Sequence, residues 1–284
     1  MPPRDTPTVR QMRLGSELRR MRERAGRTAR EAAALLGVDQ ARMSNIEAGR
    51  IGISGERIRR LATFYACADT ALVEALCAIA EERRGQFWWD EYRGILAPGF
   101  LDVAEMEHHA VYLRSMQAMV IPGLLQTEDY ARALFRGVVY SLPGEEIDAR
   151  VEHRMRRQAI LDREDPVRLT ATIHEAALRM RFGGRKVARA QLERLVEVSG
   201  CEVVTVRVVP FTNEEFVETT DQIAYAASAV PRLDTVQVDN IVGGHFLDAE
   251  AELQRYRKLL DKAESQALDA EESRQLIHHI AREL

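Results

Sequence analysis

The chain has 284 residues, of which 46% are hydrophobic, so it is long enough to bury a sizeable core and is typical of about two domains. No apolar run reaches the roughly 20 residues that span a bilayer, and the amino terminus lacks the apolar segment of a secretory signal. We therefore expect a cytoplasmic protein without a membrane partner. The three cysteines show no CxxC spacing, which indicates neither a disulfide framework nor a zinc site.

Charge is distributed unevenly along the chain. Residues 1–65 carry 14 arginines against seven acidic residues, a net charge of +7, whereas residues 66–284 carry 26 basic and 37 acidic residues. A basic first domain on an acidic remainder favours a polyanion partner for the first domain alone, because a uniformly acidic surface repels phosphates. On charge alone, a solvated basic face accounts for the pattern as well.

Helical periodicity predicts an all-α first domain of five short helices over residues 10–84, preceded by a flexible segment at residues 1–9. The first helix covers residues 9–25, where apolar residues recur at helical spacing and Gly26 supplies the stop. Ser54 caps a fourth helix, and a fifth helix with an apolar stripe follows it.

The second and third helices are closely spaced. Thr28-Ala-Arg-Glu31 has the form of a capping box, in which the Thr28 hydroxyl accepts from the Glu31 amide while Glu31 reaches back. This helix ends at Gly37, where a left-handed turn costs little, and Asp39 caps a third helix over about residues 40–48. Two short helices joined by a tight turn make the helix-turn-helix geometry, whose second helix enters the major groove of DNA.

The segment TAREAAALLGVDQARMSNIEAGR resembles the DNA-binding domain of the Xre family, a repressor class found in temperate phages and many bacteria. The matching residues are a small residue in the second helix, the turn glycine, an apolar-Ser pair and an apolar-Glu-x-Gly run: Ala33, Gly37, Met43-Ser44 and Ile46 to Gly49. The resemblance covers about residues 10–80. It implies a lambda-repressor-like fold and a transcriptional regulator of double-stranded DNA operators; we expect it to act as a homodimer.

The predicted recognition helix divides into two faces. Met43 and Ile46 are three residues apart and face the core. Five residues remain for the DNA bases: Gln40, Ala41, Arg42, Ser44 and Asn45. Amides both donate and accept, as the adenine edge requires, so the Gln40 and Asn45 side chains are the strongest candidates; Arg42 suits guanine or a phosphate. Ordinary exposed polar residues are the alternative interpretation.

The expected phosphate contacts lie beside this helix. They are Arg27, Thr28, Arg30 and Arg50. The Xre resemblance places a phosphate-binding glutamine where this chain has Ala29, so Arg30 is the expected substitute. Arginine contacts of this kind are independent of base sequence and sensitive to salt.

Glu47 is the one acid within the recognition segment. It follows Ile46 near the inward face, where an unpaired charge is costly. In Xre-type domains the matching acid pairs with an arginine near the end of the first helix, and the equivalent here is Arg22. The resemblance therefore implies a structural ion pair between Arg22 and Glu47 rather than a DNA contact.

A second domain, predicted over residues 85–284, begins after Arg83-Arg84-Gly85 with two adjacent tryptophans, Trp88 and Trp89. Buried aromatics supply large contact areas, so packing between domains is favoured over a ligand-stacking wall. Residues 101–135 predict a long helix, a turn at Pro122-Gly123, and a helix that starts near Thr127.

The remaining sequence alternates strand and helix patterns. The β-rich runs are VRLTATIHE, CEVVTVRVVP, TTDQIAYAA and DTVQVDN, and helical patterns cover residues 186–199, 248–264 and 269–284. Gly183-Gly184 and Gly243-Gly244 indicate turns. These patterns predict an α+β domain.

Four segments of this domain carry a second resemblance: WWDEY, VIPGLLQTEDYARALF, RVEHRMRRQAILDREDP and HEAALRM. Together they are similar to the C-terminal domain of unknown function of actinobacterial Xre-type, antitoxin-like regulators, over about residues 86–284. The resemblance implies a regulator encoded beside a small partner protein, with no established enzymatic activity. The family's glycine-rich loop after the Pro-Phe pair is replaced here by the acidic TNEEFVETTD, which puts the specificity of that loop in doubt.

Catalytic motifs are missing from the sequence. His174-Glu175 begins like HExxH, but residue 178 is Leu, and GxSxG, P-loop and GxGxxG patterns do not occur, so we expect neither an enzyme nor a cofactor. An arginine cluster at residues 150–157 has acidic residues interleaved, which favours a solvated helix over a second nucleic-acid surface. Three hypotheses remain: a regulator controlled by a small partner protein, a repressor with an apolar ligand pocket walled by Trp88 or Trp89, and an enzyme with a DNA-binding domain.

Overall fold

The computed structural model describes residues 7–82, 85–139, 141–215, 222–240 and 243–284. Contacts divide the chain into two compact units, Met1–Glu91 and Tyr92–Leu284. Most of the segment predicted to be flexible, and the Arg83-Arg84 pair at the predicted domain boundary, lie outside the described residues. Within the described ranges no helix combines the length and the apolar character needed to cross a membrane.

The described part of the first unit contains five α-helices, as predicted. They are α1 (Val9–Arg24), α2 (Ala29–Leu36), α3 (Gln40–Glu47), α4 (Gly55–Phe64) and α5 (Thr70–Glu81). Thr28 forms the predicted capping box with Glu31, and Asp39 and Ser54 cap the next two helices. Each cap satisfies amides that the first helical turn leaves without partners, which explains why these helix starts were readable from local sequence.

Two glycines, which have no side chain, allow α1 and α3 to approach each other closely. A Cβ atom added at Gly15 would lie 2.5 Å from the carbonyl oxygen of Glu47. Gly49 has φ of +72°, and a Cβ there would lie 2.7 Å from the carbonyl oxygen of Gln11. The fully buried Leu18 and Met43 belong to the core of this unit. Side chains at the two glycines would therefore push the recognition helix away from its support.

The second unit combines helices with one six-stranded sheet, so the predicted α+β architecture is confirmed. The strands are β1 (Tyr112–Gln117), β2 (Arg168–His174), β3 (Val204–Val209), β4 (Gln222–Ala227), β5 (Thr235–Asn240) and β6 (Gly243–Leu247). The helices are α6 (Pro98–His109), α7 (Glu128–Arg136), α8 (Gly144–Arg157), α9 (Glu175–Arg179), α10 (Arg185–Val198), α11 (Glu250–Ser265) and α12 (Ala270–Glu283). The strand order is β3-β2-β1-β4-β5-β6, with β1 to β3 parallel and the other pairings antiparallel.

Two local predictions for this unit were wrong. The long helix predicted from residue 101 ends at His109, and the following residues form β1, which pairs with β2 on one side and β4 on the other. Hydrogen bonding along both edges overrides the helical pattern. Gly243-Gly244 lies in β6 rather than in a turn, and a Cβ at Gly244 would lie 2.8 Å from Asp239 Oδ1. The glycine leaves room for the Asp239 side chain of the neighbouring strand.

The two faces of the sheet have different surroundings. Alternate residues of β1, β4 and β5, including Met116, Tyr225 and Val236, share one core cluster with residues of α11. The opposite side chains of β1 to β3 join a second core cluster with residues of α10 and α12. On this second face, polar residues of β1, β4 and β5 line a cavity: Ser115, Gln117, Gln222, Gln237 and Asp239.

Candidate functional site

The recognition helix α3 is held by its buried face. Met43 is 0% exposed and Ile46 is 2% exposed, which leaves the opposite face toward solvent. Of the five predicted base contacts, three are exposed and two are half-buried: Gln40, Ala41 and Ser44, then Arg42 and Asn45. A helix with one apolar and one polar face in this position has the form required for insertion into a major groove.

Two of these side chains are already engaged within the helix. Asn45 Nδ2 donates to the carbonyl oxygen of Ala41 at 3.1 Å, which occupies one amide donor and leaves the amide oxygen. Arg42 Nε is shielded from solvent and has no partner among the described residues, and the Arg42 amide donates to Asp39 Oδ1 at 2.6 Å. The second N–H of the Asn45 amide and its oxygen remain for a bidentate contact with adenine, which needs one donor and one acceptor.

The predicted phosphate-contacting arginines lie on the surface of the first unit. Arg27, Arg30 and Arg50 are all exposed. Arg27 lies with its guanidinium carbon 4.7 Å from the centre of the Phe64 ring, which restricts its motion. A guanidinium held like that of Arg27 suits a polyanion because it loses little conformational freedom on binding.

Thr28 has a structural task at the start of α2. Its hydroxyl accepts from the Glu31 amide at 3.2 Å, and its backbone amide donates to Glu31 Oε2 at 2.7 Å. The hydrogen bonds from Thr28 lower the pKa of Glu31. The negatively charged Glu31 carboxylate therefore lies at the start of α2, which is also where Thr28 would bind a DNA phosphate.

Arg22 and Glu47 form a bidentate ion pair. Arg22 Nε donates to Glu47 Oε1 at 2.6 Å and Nη2 donates to Oε2 at 2.9 Å, with the side chains 10% and 7% exposed. Arg22 Nη1 also donates to the carbonyl oxygen of Arg27 at 2.9 Å. The hydrogen bond with Glu47 raises the pKa of Arg22. One guanidinium thus connects the end of α1 to α3 and to the turn before α2.

The two tryptophans pack within an aromatic group of the first unit. Trp89 is 2% exposed, and its ring stacks on Phe87 at a centroid distance of 4.5 Å and an interplanar angle of 6°. Trp88 meets Trp89 edge-on at 5.7 Å. Neither residue lines the cavity of the second unit, so this cavity does not meet the expectation of a tryptophan wall.

The cavity of the second unit measures about 690 Å³. Its floor is the polar stretch of the sheet, and Arg150, Arg154 and Arg157 of α8 contribute to its lining. Arg157 Nε donates to Glu107 Oε2 at 2.7 Å, which joins α8 to α6. Arg154 Nη1 donates to Gln126 Oε1 at 2.7 Å.

The prediction of a solvated α8 was wrong for two of its arginines. Glu145, Asp148 and Glu152 are exposed, as expected. Arg154 and Arg157 instead turn toward the interior, and burial together with the nearby Arg157 charge lowers the pKa of Arg154 to about 9. The partners Gln126 and Glu107 are distant in the sequence, so charge patterning within the helix does not reveal them.

The glutamines of the strands are a sequence signal for this cavity. Gln117, Gln222 and Gln237 occupy strand positions that alternate with apolar residues, and Gln117 and Gln237 are nevertheless buried. Buried polar side chains on a sheet face indicate a polar interior surface. In the described ranges, no three His, Cys, Asp or Glu side chains gather as metal ligands would.

Two family models match the chain. One, described as a helix-turn-helix domain, covers residues 13–76, and the other, described as a domain of unknown function (DUF5753), covers residues 100–279. Comparison with curated proteins gives no match, and neither does comparison with solved structures. Because the second model covers more than half of the chain, the protein belongs to the DUF5753 family, with an N-terminal helix-turn-helix domain typical of DNA-binding regulators.

Proposed function

We propose that the protein is a sequence-specific transcriptional regulator of the Xre type that binds a double-stranded DNA operator as a homodimer, associated with the nucleoid. The observation that carries this proposal is the polar, solvent-facing side of α3, opposite the buried Met43 and Ile46. Insertion of this face into the major groove brings the amides of Gln40 and Asn45 toward the base edges. Arg30 and Arg50 then contact the flanking phosphates.

The test separates base reading from phosphate contact. A preferred site is selected from random DNA, and binding to it and to an unrelated duplex is measured by fluorescence anisotropy. Gln40→Ala or Asn45→Ala weakens binding to the preferred site by about 1 to 3 kcal/mol and barely affects the unrelated duplex. Arg50→Ala weakens both. Gln275→Ala, an exposed amide on α12, is the matched control. Equal losses on both duplexes for Asn45→Ala would remove it from the base readers.

A homodimer presents two copies of α3, so the operator contains two half-sites. Their centres lie about 10 base pairs apart or a multiple of that, because both helices must enter the same side of the duplex. Footprinting of the selected site measures this spacing. A single unrepeated half-site under one bound chain contradicts the dimer.

For the second unit, we propose a small partner protein, encoded nearby, whose binding changes operator affinity in an antitoxin-like manner. The resemblance of residues 86–284 supports this proposal. Binding of a partner changes DNA affinity only if the partner has different affinities for the free and DNA-bound states. Native mass spectrometry of the full-length protein from its own host tests it: a dimer that carries an additional small protein supports the proposal, and a dimer alone argues against it.

A second candidate is a repressor that senses a small molecule. The cavity of about 690 Å³ in the second unit favours it, since ligand sites commonly fall between about 300 and 1,000 Å³. The two candidates differ in what should co-purify with the protein, a polypeptide or a small organic compound. The same mass spectrum therefore distinguishes them.

A further inference from the structure

Two buried polar atoms of the cavity-lining residues have no hydrogen-bond partner within the described part of the chain. Arg154 Nε is a donor and Gln117 Oε1 is an acceptor, and both are shielded from solvent. Native proteins satisfy nearly all such groups, because an unmade buried hydrogen bond carries the full cost of desolvation. A donor and an acceptor left open in one cavity indicate a ligand that offers both functions.

No carboxylate among the described residues is hydrogen-bonded to Arg154. Glu107 accepts from Arg157, and Glu146, with which Arg150 pairs, is not among the lining residues. Asp239, the other carboxylate of the described lining, acts on the Arg154 charge from a distance and accepts from Gln237 Nε2 at 2.7 Å. Arg154 has only the neutral Gln126 as a hydrogen-bond partner in the described part of the chain. With a pKa of about 9, its guanidinium remains charged at neutral pH. An anion is the ligand group that complements this charge.

Gly123 leaves space in front of the two guanidinium groups. A Cβ at this position would lie 3.5 Å from Arg157 Nη2 and 3.7 Å from Arg154 Nε. These are ordinary van der Waals distances, so the fold would accept the methyl group, but the methyl would occupy the space beside the open Arg154 donor. The absence of a side chain at Gly123 therefore leaves room beside the Arg154 guanidinium.

The remaining lining is largely apolar. Phe135 lies with its ring centre 4.4 Å from the Arg154 guanidinium carbon, and Phe100 lies 4.9 Å from that of Arg150. Leu134 and Val103 extend this surface. A ligand that fills the cavity therefore has an apolar part next to its charged group.

We propose that the cavity binds a small organic oxyanion, a carboxylate or a phosphate ester with an apolar body, whose charged group pairs with the Arg154 guanidinium beside Gly123. Small movements of the Arg154 and Gln117 side chains expose Arg154 Nε, which then donates to the ligand, and Gln117 Oε1, which accepts from a ligand hydroxyl or N–H group. This inference names the ligand class of the second candidate above and rests on that proposal only for the consequence of binding on DNA affinity.

The site is tested by calorimetric titration of the full-length protein with hexanoate and with hexyl phosphate, near neutral pH and at constant ionic strength. These probes share an apolar chain and differ in the charged group, so the tighter one identifies the preferred oxyanion. Butanoate binds about sixteen-fold more weakly than hexanoate, because each buried methylene contributes about fourfold. Arginines of a solvent-exposed surface do not produce this dependence on chain length.

Three variants assign the binding to this cavity. Arg154→Gln and Gly123→Ala each weaken binding of the preferred probe about tenfold or more. Arg156→Gln, on the same helix but outside the lining, changes binding less than about twofold. If Arg154→Gln does not fold, Gly123→Ala decides, because it retains both guanidinium groups and its methyl makes only ordinary contacts. No binding of either probe, or equal binding by wild type and the folded variants of Arg154 and Gly123, overturns the proposal.

A separate titration on DNA distinguishes this site from the regulatory function. The preferred probe changes operator affinity of the wild type and leaves that of Gly123→Ala unchanged if the cavity controls DNA binding. Binding of the probe without any change in operator affinity contradicts the sensing function and leaves the site established, since the first titration contains no DNA.

Discussion

At the residue scale, the Glu47 carboxylate and the Arg22 guanidinium are nearly excluded from solvent and satisfy each other through two hydrogen bonds. A buried pair of this kind adds little over apolar residues of the same shape, because both charges lose their hydration. Loss of one partner is different, since it leaves the other charge buried alone. The pair is therefore a requirement of the fold once either member is present.

Glu47→Gln should lower the free energy of unfolding of the first unit by about 3 kcal/mol, because it removes the charge that compensates Arg22. Urea unfolding followed by tryptophan fluorescence measures this, since the two tryptophans, Trp88 and Trp89, both belong to that unit. The double variant Arg22→Met, Glu47→Leu should recover most of the loss.

Glu74→Gln is the control for that substitution, since Glu74 pairs with Arg59 on the exposed surface of the first unit. It should change stability by less than about 0.5 kcal/mol. If Glu47→Gln leaves both stability and DNA affinity unchanged, the ion pair does not fix the position of α3 against α1.

The buried residue His153 should make the stability of the protein depend on pH. It is 0% exposed, and burial and the charges of Arg157 and Arg154 lower its pKa to about 3. Between about pH 6.5 and pH 3 the unfolded chain binds this proton and the folded chain does not. The free energy of unfolding should therefore fall as the pH falls through that window, by up to about 1.4 kcal/mol per pH unit from this group.

Comparison with His153→Gln isolates the contribution of the imidazole. The wild type should lose stability more steeply than the variant below about pH 6.5, and the two profiles should run parallel above it. Circular dichroism follows the unfolding of both units, and tryptophan fluorescence reports the first unit alone, so the transition seen only by circular dichroism belongs to the second unit. Parallel profiles over the whole range would show that His153 takes up its proton in the folded state.

At the scale of elements, the position of α3 depends on backbone contact with α1. Gly15 lies against the last residue of the recognition helix with no space for a side chain. Helices approach this closely only where one of them carries a very small residue. The orientation of the solvent-facing side of α3 thus depends on a residue of another helix.

Gly15→Ala should destabilise the first unit by about 1 to 3 kcal/mol through overpacking and should weaken operator binding, because α3 must shift. Gly99→Ala in α6 is the matched control, since a Cβ there would have no neighbour within 4 Å. Urea unfolding and fluorescence anisotropy measure the two effects. Wild-type behaviour of Gly15→Ala would show that the helices can separate at no cost.

At the scale of the whole molecule, the two parts of the chain carry net charges of opposite sign. Residues 1–65 have a net charge of +7 although the protein as a whole has a net charge of −4. Phosphate contacts release counterions from DNA, so the affinity of the basic part falls as salt rises. The acidic remainder repels the duplex and limits non-specific contact.

The logarithm of operator affinity should fall linearly with the logarithm of salt concentration, with a slope of about −5 if each chain of the proposed dimer makes three arginine contacts. Arg50→Ala should reduce the slope by about 2, because one contact is lost from each chain. Anisotropy titrations at several salt concentrations measure both values. Arg189→Ala, an exposed arginine of α10, should leave the slope unchanged, and a wild-type slope near zero would contradict phosphate binding by these residues.

The sequence alone determined the five helices of the first unit, the helix-turn-helix and most strands of the second unit. Their signals are local: Thr28 reaches the amide of Glu31 three residues later, and apolar residues repeat with the period of each element. The local pattern failed at β1, whose conformation is set by pairing with β2 and β4.

Only the tertiary structure decided the cavity of the second unit. Arg157 meets Glu107 across 50 residues, and Arg154 meets Gln126 across 28. From sequence alone, an arginine on a helix is predicted to be exposed to solvent. Its burial depends on packing against segments that are distant in the chain, so only the tertiary structure shows it. Helix starts and periods depend on neighbours within a few residues, whereas the charge left open at Arg154 depends on the complete arrangement around it.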